Sequence, residues 1–145
     1  MYVRKIMEHE LAQLLQLYTQ LHDNPLPEDD ASVPALWQRI LNDPDQSILV
    51  AVEDGQIVSS CVLLIVPNLT HNQRPYGLIE NVVTGRAYRK RGYASAVLQH
   101  AKEQAMRQGC YKLMLLTGAK DAATLNFYRR AGYRSSDKTG FVQWL

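Results

Sequence analysis

With 145 residues, 46% of them hydrophobic and 21% charged, the chain has the composition of one soluble globular domain, which excludes a disordered or low-complexity protein. Its net charge of +2 excludes nucleic-acid binding by overall field, so any basic site has to be local. No run of about 18 apolar residues suggests a membrane span, and the first residues lack the small-residue cleavage site of a signal peptide.

Residues 2–6 alternate as a first strand. From Glu8 to Leu21 the positions Leu11, Leu14, Leu15, Tyr18 and Leu21 follow helical spacing. The segment HDNPLPEDD (22–30) reads as a loop, and Pro34–Leu41 as a second short helix that stops near Asn42-Asp43-Pro44. Ser47–Val52 and Ile57–Val66 are strands joined at Glu53-Asp54-Gly55-Gln56, where Asp-Gly suits a type I′ hairpin. A loop at 67–75 precedes a strand over Gly77–Thr84. Ala94–Gln108 is the clearest helix, with Ala94, Val97, Leu98, Ala101, Ala105 and Met106 as its stripe and Gly109 as its C-terminal cap. Tyr111–Leu116 reads as a buried strand. Asp121 N-caps a helix that Gly132 ends, and Phe141–Leu145 reads as a last strand. The order defines a single mixed α/β domain over 1–145, with no internal repeat.

Cys61 and Cys110 are isolated thiols, which points to a cytoplasmic location without a disulfide framework. Four scattered histidines show no ligand spacing with them, so no metal is expected.

The stretch RAYRKRGYASAVLQHA (86–101) is unusual for a helix start. Arg89, Lys90 and Arg91 crowd a helix N-terminus, where the dipole is already positive. Backbone N–H groups there lack intrahelical partners and form a ready anion site. Gly92 lets the backbone approach a bound group, and Ala94 keeps the first turn free of bulk. Neither G-x-x-x-x-G-K-[ST] nor G-x-G-x-x-G is present, which leaves a pyrophosphate held mainly by amides. In isolation, the three cations would read as a solvated basic turn.

Arg89-x-x-Gly92-x-Ala94 resembles the R/Q-x-x-G-x-G/A signature of the GNAT superfamily of acetyl-CoA-dependent N-acetyltransferases. It follows the strand LIENVVT (78–84) and opens an amphipathic helix, and NFYRRAGY (126–133) resembles the family's F-Y-x-x-x-G-[FY] segment. The resemblance implies a mixed, mostly antiparallel sheet splayed between the fourth and fifth strands and flanked by helices. It implies acetyl-CoA as cosubstrate, with its pyrophosphate on the amides of Arg91, Gly92, Tyr93, Ala94 and Ser95, beside Arg89 and Lys90. The pantetheine arm would run along Val82, Val83 and Thr84; Asn126 reads either as a further coenzyme contact or as a residue that only decorates its helix. Gly85-Arg86 stands where many relatives carry His-Pro.

Acyl transfer to an amine needs a neutral attacking nitrogen, a donor for the developing oxyanion and a proton for the departing thiolate. Tyr128 occupies the family's general-acid position; its other reading is a core aromatic, sharing a helical face with Leu125 and Ala131. Glu80 is either the base that accepts the amine proton or a substrate ligand. The run Ile79-Glu80-Asn81 is similar to the I-E-[DN] run of glucosamine-phosphate acetyltransferases. The resemblance places the oxyanion donor at the amide of Val82 or Val83. Asp121 reads as a cap, Glu28, Asp29 and Asp30 either as a solvated acidic loop or as a lure for a cationic amine, and 70–75 as a lining of the acceptor pocket or of a partner contact.

The reading is therefore a direct acyl-CoA N-acyltransferase acting on a small-molecule or protein amine, with no nucleic acid or membrane partner. Dimers are common in the superfamily, so a homodimer is one assembly the resemblance admits. The alternative is a non-catalytic acetyl-CoA-binding regulatory module, against which the retention of Tyr128 and Glu80 argues.

Overall fold

The computed structural model describes residues 1–145. Five strands form one sheet in the order β1-β2-β3-β4-β5: β1 (Tyr2–Lys5), β2 (Gln46–Glu53), β3 (Gln56–Val66), β4 (Tyr76–Thr84) and β5 (Leu113–Leu115). The first four pair antiparallel, and β5 joins β4 in parallel. Helices α1 (Leu11–Tyr18) and α2 (Ser32–Asn42) lie between β1 and β2 in sequence, followed by the single turn α3 (Thr70–Gln73), then α4 (Tyr93–Arg107) and α5 (Ala122–Arg130).

Alternation along β2 explains the layers. Ile48, Val50 and Val52 point to one core with Leu14, Leu17 and Trp37 of α1 and α2. Leu49 and Ala51 point to the other, with Val97, Leu98, Ala101 and Ala105 of α4. A strand covered on both faces needs apolar residues on both, which is why SILVAV reads as a continuous run. The β2–β3 turn has positive φ at both Asp54 (48°) and Gly55 (76°), as a type I′ hairpin requires.

Some boundaries move. The first helix begins as a 3-10 turn at Glu8–Glu10 and ends at Tyr18. The second extends over Ser32–Asn42, with Pro34 inside its first turn, where no backbone donor is needed. Met106 lies off the stripe and is exposed, whereas Tyr93 is buried and starts the helix one residue earlier than expected. The strand expected over Tyr111–Leu116 shortens to Leu113–Leu115 and is half-buried, because it is an edge. Phe141–Leu145 forms no strand: it is irregular and exposed, with no neighbouring strand to complete its hydrogen bonds. Segment 70–75 packs at the start of β4, where His71 stacks on Tyr111 at 3.9 Å and Arg74 donates to the carbonyls of Gly109 and Cys110.

One ion pair fixes the entry to α1. Both guanidinium nitrogens of Arg4 donate to the carboxylate of buried Glu10, at 2.8 and 2.6 Å, and the amide of Met7 donates to the same group at 2.8 Å. The hydrogen bonds from Arg4 hold the Glu10 carboxyl below its ordinary range, against the opposing effect of burial. Its folded value lies below its unfolded one, so the stabilisation is complete above about pH 4.3 and is lost as pH falls through the folded value. Glu10→Gln is expected to cost about 1.5–3 kcal/mol at neutral pH, the worth of hydrogen bonds to a charged group. Urea titrations at pH 7 and pH 3 test this: the difference between variant and parent should narrow at the lower pH.

Candidate active site

The sheet opens where the chain is most irregular. β4 and β5 pair only over Gly77–Ile79 and Leu113–Leu115, while β4 continues to Thr84. Gly77 permits the closed end of this wedge: a Cβ there would collide with Leu113 Cδ2. Past Ile79 a bulge intervenes. Val62 pairs with Glu80 and Ser60 with Val83, so Asn81 and Val82 together face Cys61, and Asn81 takes φ 51°. A bulge turns the strand and releases amides from the ladder. Beyond it, β3 and β4 are pinned again by Ser59 Oγ, which donates to Val83 O at 3.0 Å and lies 2.7 Å from Thr84 Oγ1.

The stretch after β4 is held by its own side chains. Arg89 Nε donates to Thr84 O at 3.2 Å, and the Arg91 guanidinium lies 5.6 and 5.4 Å from the ring centroids of Tyr88 and Tyr93. Lys90 is exposed. Gly92 is the N-cap of α4 with φ 87°, a conformation that favours glycine. The first intrahelical bond runs from Ala96 N to Gly92 O at 3.0 Å, so the amides of Tyr93, Ala94 and Ser95 precede it and have no acceptor within the helix. A Cβ on Gly92 would meet nothing within 4 Å, so the ground before these amides is open. Donors, dipole and open space suit a diphosphate; Tyr93 offers only its amide, since its ring is core.

Tyr128 sits on α5, half-buried against the core cluster that contains Cys61. It packs on Phe127 and Tyr133, with ring centroids 5.0 and 6.3 Å away. Burial raises its phenol above the ordinary tyrosine value, with a smaller contribution from Cys61, so the hydroxyl keeps its proton. Burial pushes the Cys61 thiol up to about 12, which makes it an inert core group. Cys61 faces the Asn81–Val82 bulge and belongs to the core cluster on which the Tyr128 ring packs.

Other expected residues scatter. Glu80 is exposed rather than buried, so any role as base rests on its position beside the bulge. Asn126 is exposed and accepts from Arg129 Nη1 at 3.0 Å, a contact within its own helix. Asp121 caps α5 through Thr124 N at 2.9 Å. Asp30 accepts from Ser32 N at 2.8 Å and secures the start of α2. No group of three His, Cys, Asp or Glu residues is arranged to hold a metal ion, and no helix is long and apolar enough to cross a membrane.

A cavity of about 290 Å³ adjoins the bulge, lined by Tyr18, Leu21, His22, Asn24 and Asn81. The Tyr18 hydroxyl itself is buried, with Asn81 and Ser60 as its polar neighbours. Sequence reasoning missed this pocket. Tyr18 fitted the apolar period of α1, and its polar tip was the one available signal.

The splayed sheet, the bulge and the glycine-capped helix define a single mixed α/β domain of the acetyltransferase class. The chain belongs to the acetyltransferase (GNAT) family, whose model matches residues 10–133. A solved structure from Agrobacterium tumefaciens str. C58, assigned by its name to the acetyltransferases, is 42% identical over the full length of both chains, with a TM-score of 0.93. A glucosamine 6-phosphate N-acetyltransferase of Trypanosoma brucei brucei is 36% identical over 84 residues, 58% of this chain. The matched stretch spans only 55% of that relative's length. The Arabidopsis thaliana glucosamine-6-phosphate N-acetyltransferase shares the fold, with a TM-score of 0.86 at 21% identity over 99% of this chain and 97% of that one.

Proposed function

We propose that this protein transfers the acetyl group of acetyl-CoA directly to the primary amine of a small polar molecule. The observation that carries the reading is the wedge between β4 and β5, with the bulge at Asn81 and Val82 beyond its closed end. The coenzyme supplies an acyl group activated as a thioester. The amides of Arg91 to Ser95 bind its diphosphate, and Val82, Val83 and Thr84 offer a strand edge to its pantetheine arm. The amine enters from the Tyr18–Asn81 cavity, where His22, Asn24 and Asn81 give a polar acceptor partners. A new C–N bond forms as the C–S bond breaks. Glu80 takes the amine proton, the amide of Val82 or Val83 donates to the developing oxyanion, and Tyr128 protonates the thiolate.

The relative named for glucosamine 6-phosphate makes amino sugars the first class to assay. A panel of amino sugars, polyamines and peptide N-termini, read by thiol release from acetyl-CoA, tests the reading. Turnover confined to peptides would overturn the acceptor class.

Coenzyme binding has its own check. Acetyl-CoA at a hundredfold over its Kd is expected to stabilise the fold by about 2.7 kcal/mol, and CoA by a similar amount, because the diphosphate and pantetheine are shared. A melting temperature unmoved by millimolar acetyl-CoA would remove the proposal at its root.

A further inference from the structure

We propose that Tyr18 of α1 and Ser60 of β3 are positioning residues, whose two buried hydroxyls flank Asn81 and hold the β4 bulge in the register that aims its amides. The inference rests on the transfer reading above, in which the amide of Val82 or Val83 meets the developing oxyanion.

The first sign lies in β3. From Ile57 to Val66 the strand is apolar on both faces, as a strand covered on both sides requires, except at Ser59 and Ser60. Both serines are 0% exposed, and a buried hydroxyl lowers stability relative to an apolar side chain unless it has a partner to serve. Their place is the bulge: Ser59 pairs with Thr84, Ser60 with Val83, and the ladder resumes at Val62 and Glu80. Ser59 Oγ donates to Val83 O at 3.0 Å and so fixes β4 beyond the irregular step. Ser60 turns the other way, with Val62, toward the face that α1 covers. There it lies beside the buried Tyr18 hydroxyl, and both Ser60 and Asn81 are polar neighbours of that group.

Asn81 needs such support. Its φ of 51° is one that Asn tolerates better than most residues but that still disfavours an L side chain. A residue stays in such a conformation only where its surroundings over-determine it. Here the surroundings are one hydroxyl from a helix and one from the neighbouring strand. If the bulge slipped by one residue, Val82 and Val83 would exchange faces, and a different amide would point into the wedge. Donors to an oxyanion act only at the right distance, and a misplacement of about 1 Å can cost on the order of 10²-fold in rate.

Tyr18→Phe and Ser60→Ala test the assignment, because each deletes a hydroxyl and leaves the surrounding packing. Each variant should melt close to the parent and keep the parent's KM for acetyl-CoA. Its kcat should fall roughly 10–100-fold on the amine that the parent acetylates fastest. Relaxation dispersion of backbone amides, silent over residues 80–83 in the parent, should appear there in the variants and stay absent from β1 and β2. A parent that acetylates no amine of the panel strikes the transfer reading, while the dispersion result still decides whether the hydroxyls hold the bulge. Amides quiet over 80–83 in both variants overturn the proposal. So does exchange spread through the whole sheet, which marks an ordinary packing role. In an active parent, an unchanged kcat overturns it as well, and a rise confined to the acceptor's KM does the same, because Tyr18 would then be touching the acceptor.

Discussion

Tyr128→Phe is expected to slow the chemical step by roughly 10²–10⁴, the range that general acid catalysis supplies. The substitution keeps the ring that packs on Phe127 and Tyr133, so stability should hardly change. Acetyl-CoA affinity should fall by no more than about 1 kcal/mol, the worth of one hydrogen bond. The phenol is raised above its ordinary value by burial, so the parent enzyme should hold its acid form to beyond about pH 10. Any basic limb in the parent's rate that vanishes in the variant must therefore lie above that pH. An acyl donor with a better leaving thiolate should shrink the loss, because that thiolate needs less protonation. Single-turnover rates at the parent's level would return Tyr128 to a packing role.

Gly92→Val is expected to weaken acetyl-CoA binding by on the order of 10²-fold or more, the equivalent of losing one or two hydrogen bonds to a charged group. A Cβ at Gly92 meets no protein atom within 4 Å, so the fold has no steric objection to it. The cost to the fold comes from φ 87°, which an L side chain disfavours by roughly 1–2 kcal/mol. Binding suffers more, because the branched side chain occupies the ground before the amides of Tyr93, Ala94 and Ser95 and tilts them away from the diphosphate. Lys90→Ala removes one exposed charge and should cost less than tenfold. Isothermal titration of the two variants decides between amide cradle and side-chain charge: normal binding by Gly92→Val together with none by Lys90→Ala would favour the side chains.

Elements whose causes are local could be read along the chain alone. The apolar stripe of Val97, Leu98, Ala101 and Ala105 specified α4, Asp54-Gly55 its hairpin, and Asp121 its cap, because periodicity, positive φ and capping act within a few residues. The proposed coenzyme site rests on the same kind of signal: Gly92 and the residues around it are contiguous. Only the tertiary structure decided the rest. Asn81 and Val82 become a bulge because Ser60 and Val62 set the register opposite them, and that register depends on burying Val62 and Val83 with α1 and α2. Tyr18 becomes a pocket residue because packing brings α1 over the bulge, and its period could not distinguish a ring on a pocket wall from a core ring. Phe141–Leu145 shows the limit most clearly. Propensity says that a segment can extend, whereas a strand exists only where another edge completes its hydrogen bonds, and within one chain no edge does.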